Sequence, residues 1–345
     1  FKAIILNNQK ARITAICDLS EKNLSDSSSF IDNFSKEIHY KCKEPAKYNY
    51  FDQLIKDVIS KKLILDLLII ATPSGLHATQ AIQAANAGIH VCTEKPMATN
   101  WEDGLRMVEE CRRNKIKLFV VKQNRFNKIL QLTKKQIENG RFGKLAMVSV
   151  NVFWQRPQKY YDQASWRGTV KYDGGALMNQ ASHYVDLLDW MIGPIEYLSA
   201  SNATISRKID VEDTSVIQLK WKNGALGTMA VTMLTFPKNL EASITILGEK
   251  GTVKIGGNAV NKIDHWIFED ENEDDEEVKK LNEKEYLFEH NCSHYPYYEN
   301  MLNSINGIEQ ANCPGEEGLR SLELLICAYK SAQEKKFVYL PLHKG

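Results

Sequence analysis

The sequence has few of the signals that mark membrane, nucleic-acid-binding or metal-binding proteins. No run of about 20 apolar residues occurs, so we expect no segment that spans a bilayer. The 44 basic and 43 acidic residues leave a net charge of +1, which argues against a nucleic acid or a membrane surface as a partner. A zinc site would need clustered ligands, and the sequence shows none.

Cysteines are few and show no pairing pattern. The seven cysteines are scattered along the chain and form no C-x-x-C pair. An odd, scattered set predicts free thiols in a reducing compartment, and the first residues show no secretory signal pattern. We therefore expect a cytoplasmic protein.

The sequence also lacks the glycine-rich turn, G-x-G-x-x-G/A, with which a dinucleotide-binding fold normally opens. Residues 1–6 have the pattern of the helix that follows such a turn, and this predicts that roughly 15–25 residues precede them. Asp18 then ends the second strand, where an acid binds the adenosine ribose and disfavours a 2′-phosphate. The position predicts NAD rather than NADP, although Asp18 also suits a helix start.

A chain of 345 residues is long enough for two domains. Apolar strands alternate with helices over residues 1–122, which predicts a dinucleotide-binding domain with a doubly wound parallel sheet. Residues 25–47 are polar and irregular in pattern, and they are predicted to form loop and helix with an insertion. The predicted strands are 13–18, 65–71, 89–92 and 118–121, and the predicted helices are 51–60, 77–87 and 101–114.

Residues 123–335 have a different character and are assigned to a second, α+β domain. Strand-like segments dominate, and Asn223-Gly224 is a strong hairpin signal between two of them, so the predicted sheet is mainly antiparallel. Helices are predicted at 123–140, 176–192 and 319–335. The acidic run 269–277 is predicted to be an exposed loop.

Two consecutive strands of the first domain end in polar, sharply turning loops. One strand is followed by Ala71-Thr72-Pro73 and the next by Glu94-Lys95-Pro96. Ligands of open α/β sheets bind at the carboxyl edge of the strands, where these loops meet. A lysine held there by a following proline can extend a protonatable amine into the crevice, so Lys95 is a candidate functional residue.

Several motifs together resemble the Gfo/Idh/MocA family of sugar dehydrogenases. They are Ala71 to His77, Glu94-Lys95-Pro96, Lys122 to Phe126, Trp154 to Asp162, Trp166 to Thr169 and Asp173 to Asp186. The last four are most like bacterial members that oxidise the 3-hydroxyl of UDP-N-acetylglucosaminuronic acid, in the synthesis of diamino-uronic sugars for O-antigen. The resemblance spans nearly the whole chain. It implies NAD as cofactor and an open-faced sheet that pairs subunits into a dimer or tetramer.

The resemblance implies that Lys95 and His183 contact the reacting hydroxyl, and either of them can be the base. Histidine is a natural base near neutral pH, and burial beside other cations lowers the pKa of a lysine. Asn179 precedes His183 by four residues, so both are predicted to project from one helix face and Asn179 to hold the sugar. Asp186 lies near that face, where it orients the imidazole or belongs to a separate hydrogen-bond network.

A UDP-uronic acid carries a diphosphate and a carboxylate, so its site needs cations. The candidate substrate-binding residues, besides Asn179, are Arg125, Arg156, Tyr160, Arg167 and Gln180. The candidate cofactor-binding residues are Asp18, Ala71, Thr72, Pro73, His77, Glu94, Gln123 and Asn124. His77 equally suits the first turn of its helix with no ligand.

Two further functions fit the sequence less well. One is a related NAD(P)-dependent dehydrogenase of another sugar. The other is a non-catalytic regulator that binds a dinucleotide or a sugar and reports to another protein. Lys95, Asn179 and His183 together argue against the regulator, because a binding protein needs no proton relay.

Overall fold

The computed structural model describes residues 1–257, 259–283 and 293–342; Cys292 lies outside these ranges. The first part alternates helices and strands, as predicted. In chain order its elements are α1 Lys2–Leu6, β1 Ala15–Cys17, α2 Glu21–Glu37, β2 Ala46–Tyr48, α3 Phe51–Ile59, β3 Leu67–Ile70, α4 His77–Asn86, β4 His90–Thr93, α5 Trp101–Arg113 and β5 Leu118–Val120. Strands β1 and β2 pair in parallel, and β3, β4 and β5 form a second parallel group in that order.

Helix α2 covers the first half of the polar segment 25–47, for which loop and helix were predicted. Ser20 caps its first turn by accepting a hydrogen bond from the backbone N–H of Asn23. Although most of the helix is polar, Leu24, Ile31 and Ser35 form a narrow buried stripe along it. A helix this polar depends on its cap and on tertiary packing of that stripe.

The second part is built on one eight-stranded sheet. In chain order its elements are α6 Lys128–Glu138, β6 Leu145–Phe153, α7 Gln158–Asp162, α8 Ser182–Ile192, β7 Ile195–Ala203, β8 Thr214–Trp221, β9 Leu226–Thr232, β10 Glu241–Gly248, β11 Gly251–Gly256, β12 Lys262–Phe268, α9 Glu273–Glu283, α10 His294–Ile305, α11 Gly315–Glu334 and β13 Val338–Tyr339. The strand order is β12-β11-β10-β6-β9-β8-β7-β13, in which β6 and β9 are parallel and the other neighbours are antiparallel. The predicted fold class, a Rossmann-type domain followed by an α+β domain, is confirmed.

The acidic run does not form the exposed loop that was predicted. Part of it becomes helix α9, in which Asp275 forms an ion pair with the buried Arg141 and Asp274 forms one with Lys135. Negative charge in the first turn of a helix is favourable, so the composition that suggested solvent exposure also suits a helix start.

Helix α11 connects the two sheets. It packs against β7 and α8 of the second part and also against α5 and β5 of the first. A single apolar core accordingly runs from Ile70 and Val120 to Met229 and Ile244. Among the residues described, no helix is long and apolar enough to cross a membrane.

Candidate active site

The loops after three neighbouring parallel strands lie at one edge of the first sheet. Ile70 is in register with Thr93, and Thr93 is in register with Val120, so the ends of β3, β4 and β5 lie side by side. Three predicted groups of cofactor residues follow these ends: Ala71-Thr72-Pro73, then Glu94, then Gln123-Asn124. The parallel sheet therefore brings together loops that are far apart in the sequence.

Lys95 extends from this edge toward the second part of the chain. Its Nζ donates a 2.8 Å hydrogen bond to the backbone carbonyl oxygen of Asn179. Burial lowers the pKa of Lys95 below its ordinary value, while the negative charges of Glu94 and Asp173 oppose this and Arg156 adds to it. The hydrogen bond thus fixes the position of the amine, and burial makes its ammonium form a stronger acid than that of an exposed lysine.

The segment that carries Asn179 is a π-turn over Ala176–Gln180, and α8 begins only at Ser182. The prediction that Asn179 and His183 share one face of a regular α-helix is therefore wrong. Single π-turns often occur at functional sites. Here the turn presents the Asn179 carbonyl to Lys95, while the Asn179 amide donates to the carboxylate of Asp173.

His183 lies in the first turn of α8, close enough to Lys95 for their charges to interact. Burial and then the charge of Lys95 hold the pKa of His183 well below its ordinary value. The imidazole is therefore neutral at pH 7. The two groups, 88 positions apart along the chain, thus lie near enough for their charges to interact, and their joint contact with one hydroxyl stays a prediction.

Asp186 does not serve as a simple partner of the imidazole. Its carboxylate accepts hydrogen bonds from Lys122, from Arg125 at 2.6 and 2.8 Å, and from Ser321 at 2.7 Å. Both cations are 4% exposed. Of the two roles predicted for Asp186, the structure therefore favours membership of a separate hydrogen-bond network. This network joins the end of β5 to α8 and α11.

Arg125 must accordingly be removed from the substrate-binding set. It is buried, and its guanidinium group donates three hydrogen bonds to the carboxylates of Asp186 and Glu317. The sequence could not show this, because the two carboxylates lie about 60 and 190 positions away along the chain.

The predicted substrate residues Arg156, Tyr160, Arg167 and Gln180 do come together. The Tyr160 hydroxyl accepts from Arg167 and from Gln180 at 3.1 Å, and Gln180 accepts from Arg156 Nε at 3.0 Å. The guanidinium carbons of Arg156 and Arg167 lie 5.5 and 4.2 Å from the Tyr160 ring centre.

Aromatic rings also flank the two guanidinium groups on their outer sides. Trp154 lies beside Arg156 and Trp166 beside Arg167, at 5.2 and 4.7 Å. Neither arginine forms a salt bridge with a carboxylate of the described residues, and Arg167 Nε is buried without a partner there. The cluster is therefore a candidate site for an anion.

Two predicted cofactor residues are used by the protein itself. His77 is buried, with its ring nitrogens 2.9 Å from the Pro96 carbonyl oxygen and 2.8 Å from that of Thr72. It therefore ties the loop after β3 to the Lys95 loop instead of contacting a ligand. The Asp18 carboxylate accepts from the Ser20 backbone and the Asn23 amide at the start of α2.

The residues at the sheet edge fit a nicotinamide cofactor. Gln123 Oε1 is buried and has no hydrogen-bond partner among the described residues, and it follows β5 at the carboxyl edge. An unpaired buried acceptor is costly unless a ligand supplies a donor, and a carboxamide N–H group can do so. Glu94 and Asn124 flank this edge and remain candidate contacts.

Sequence reasoning missed Asp173, Lys122, Glu212 and Tyr329, all of which organise the site. Asp173 is buried and accepts from the Gly168 backbone at 2.6 Å as well as from Asn179. The signal for Asp173 in the sequence was the glycine pair Gly174-Gly175 that follows it. In the structure these glycines have φ of +89° and +90°, and such a conformation marks a tight approach of the backbone to neighbouring groups.

The fold and this site define an oxidoreductase with a Rossmann domain and a C-terminal α/β domain. Family comparison agrees: the oxidoreductase family's NAD-binding Rossmann fold matches residues 2–122, and its C-terminal alpha/beta domain matches residues 134–342. The chain belongs to the Gfo/Idh/MocA oxidoreductase family.

Solved structures of two relatives are similar to this chain over almost its whole length. The WlbA dehydrogenase from Bordetella pertussis, in complex with NADH and UDP-GlcNAcA, is 47% identical with a TM-score of 0.90, covering 99% of this chain and 93% of that one. The WlbA dehydrogenase from Chromobacterium violaceum, in complex with the same two ligands, is 47% identical with a TM-score of 0.88, covering 99% and 91%. Levoglucosan dehydrogenase from Pseudarthrobacter phenanthrenivorans is 28% identical over 53% of each chain, about half of that relative's length.

Proposed function

We propose that this protein oxidises the 3-hydroxyl of UDP-N-acetylglucosaminuronic acid to a ketone with NAD. The observation that carries the proposal is that the buried amine of Lys95 is hydrogen-bonded to Asn179 and lies close enough to His183 for their charges to interact. The similarity to two dehydrogenases crystallised with NADH and UDP-GlcNAcA supports the same substrate and cofactor.

Alcohol oxidation requires a hydride to leave carbon and a proton to leave oxygen. NAD, when bound, supplies the hydride acceptor, and Gln123, Asn124, Glu94, the 71–73 loop and Asp18 are the residues that would hold it. The chain itself must accept the proton and orient the sugar.

We assign the role of base to Lys95 rather than to His183. His183 is kept neutral by burial and by Lys95, so its imidazole has little affinity for a proton. Burial lowers the pKa of Lys95, which increases the fraction of the amine that is neutral and able to accept a proton. We assign proton acceptance to Lys95 and orientation of the hydroxyl to His183, with Asn179 holding the sugar.

Arg156 and Arg167 bind the anionic part of the substrate. Both are bracketed by aromatic rings and lack a carboxylate partner among the described residues, so a carboxylate or diphosphate completes their hydrogen bonding. Tyr160 and Gln180 hold the two guanidinium groups apart and contribute polar contacts.

Self-association through the open face of the large sheet is also part of the proposal. Met147 is in register with Leu226 on one side and with Leu247 on the other, and all three are exposed. Such an apolar row across three strands suits a second copy of the chain, as a dimer or tetramer. The mass of the full-length protein in solution, from light scattering, tests this.

Six described cysteines are free, which supports a reducing, cytoplasmic location. The proposed product would serve the synthesis of O-antigen precursors. Turnover is tested by mixing the full-length protein with NAD and UDP-GlcNAcA and following the absorbance of reduced nicotinamide. Turnover supports the proposal. NAD binding without turnover of any UDP-sugar would instead favour the regulator, and turnover of only a different sugar would identify a related dehydrogenase.

A further inference from the structure

The π-turn that holds Lys95 is itself held by two residues from distant parts of the chain. Glu212 lies just before β8, and Tyr329 lies in α11. Together they satisfy three successive backbone N–H groups at the start of the turn. Ala176 N–H donates to the Glu212 backbone oxygen at 3.1 Å, Leu177 N–H to Glu212 Oε1 at 2.7 Å, and Met178 N–H to Tyr329 Oη at 3.2 Å.

The first N–H groups of a helical turn have no partner within the turn, so such caps decide where it sits. Glu212 is only 6% exposed, and its carboxylate lies directly beneath Gly175. A Cβ at Gly175 would be 2.3 Å from Glu212 Oε2. Glycine at this position is therefore required for the carboxylate to reach the turn.

Tyr329 and Glu212 are also bonded to each other. Tyr329 Oη lies 2.8 Å from Glu212 Oε1 and also contacts the Gly174 carbonyl oxygen. The single hydroxyl hydrogen of Tyr329 cannot be donated to both oxygens, so a proton on Glu212 supplies the second hydrogen bond. Burial raises the pKa of Glu212 to about 7, in keeping with this arrangement.

We propose that Glu212 and Tyr329 are positioning residues for the oxidation: by fixing the π-turn they place the Asn179 carbonyl, and with it the amine of Lys95, at the reacting hydroxyl. The catalytic part of this inference rests on the proposed function. The positioning of the amine can be measured without a substrate.

The test compares Tyr329→Phe with Ser331→Ala, a matched change on the same helix. Ser331 is also buried and also makes two hydrogen bonds, but to the Lys336 carbonyl oxygen and the Ala200 backbone rather than to the π-turn. We expect a similar fall in Tm for both variants. Only Tyr329→Phe should lower kcat, by about 10- to 100-fold, with the affinity for NAD unchanged.

A second readout follows the titration of Lys95 directly, by NMR of protein labelled with 13C at lysine Cε and assigned with Lys95→Arg. A carbonyl acceptor stabilises the ammonium form, so a displaced Asn179 should lower the pKa of Lys95 by about 0.5 or more in Tyr329→Phe. If wild-type protein shows no turnover but this shift appears, the proposed function fails and the positioning stands.

Glu212 gives an independent check should Tyr329→Phe fail to fold. Glu212→Gln keeps an oxygen acceptor for Leu177 and should retain most of the activity, whereas Glu212→Ala should lose it. Equal kcat for Tyr329→Phe and Ser331→Ala together with an unmoved Lys95 titration would overturn the inference. Equal kcat for Glu212→Gln and Glu212→Ala would do so as well.

Discussion

Replacing Asp186 by asparagine should destabilise the protein strongly, because this carboxylate neutralises two buried cations. Lys122 and Arg125 are each 4% exposed, and Asp186 is 6% exposed. Arg125 would keep Glu317, but Lys122 would keep only neutral acceptors, the Glu317 carbonyl and Ser321. Removing one partner of a buried ion pair costs about 3–5 kcal/mol, so we expect a loss of that size.

The assay is urea denaturation of wild type and Asp186→Asn at pH 7, followed by circular dichroism and fluorescence. Asp26→Asn is the matched control, since its ion pair with Lys22 has side chains that are 63% and 82% exposed. That control should change the free energy of unfolding by less than about 0.5 kcal/mol. A loss below about 1 kcal/mol in Asp186→Asn would refute the account of the network.

The contribution of Asp186 to the free energy of unfolding should decrease as the pH falls. Burial alone would raise the pKa of Asp186, but Lys122 and Arg125 outweigh it and the net shift is downward. A depressed pKa contributes stability above the unfolded-state pKa of about 3.9, and this contribution is lost as pH falls through the folded-state pKa. The difference between wild type and Asp186→Asn should therefore be full at pH 7 and shrink below about pH 4.

Two further predictions concern the substrate and the proton. Arg156→Gln and Arg167→Gln should each raise KM for UDP-GlcNAcA by about 10- to 150-fold through loss of a charge-assisted hydrogen bond, while the exposed Arg113→Gln should leave it unchanged. Equal losses with UDP-GlcNAc, which lacks the carboxylate, would assign the arginines to the diphosphate, and unchanged KM would remove them from the site. Asp173→Asn should lower the pKa of Lys95 further, because Asp173 raises it, and so move the acidic limb of the kcat profile to lower pH. Asp162→Asn, an exposed change nearby, is the control, and a limb that moves to higher pH or stays in place would contradict the assignment of Lys95 as base.

Strongly periodic elements of the fold could be predicted from the sequence. The helix from Trp101 has its N-cap at Asn100, as predicted, since a side-chain cap and an apolar stripe are local features. The bounds of the polar helix α2 and the existence of the acidic helix α9 could not, because tertiary contacts stabilise both. Their composition is that of loops, and packing overrides it.

The candidate site divides in the same way. Lys95 could be found because the edge of a parallel sheet gathers the loop that carries it, whereas His183, in helix α8, was identified from its motif alone. The pairing of Arg125 with Asp186, the capping of the π-turn by Glu212 and the use of His77 as a tie between loops could not. Each depends on which of several possible partners lies nearby after folding, and residue type alone does not decide that.

The most direct test of the central claim is a double-mutant cycle on Lys95 and His183. We expect Lys95→Ala and His183→Ala each to reduce kcat for UDP-GlcNAcA oxidation strongly while NAD affinity stays near wild type. If both groups act on one hydroxyl, the double variant should be little worse than the poorer single variant, because residues that act as a unit are not additive. Losses that multiply in the double variant would show that the amine and the imidazole act independently, and would contradict the account.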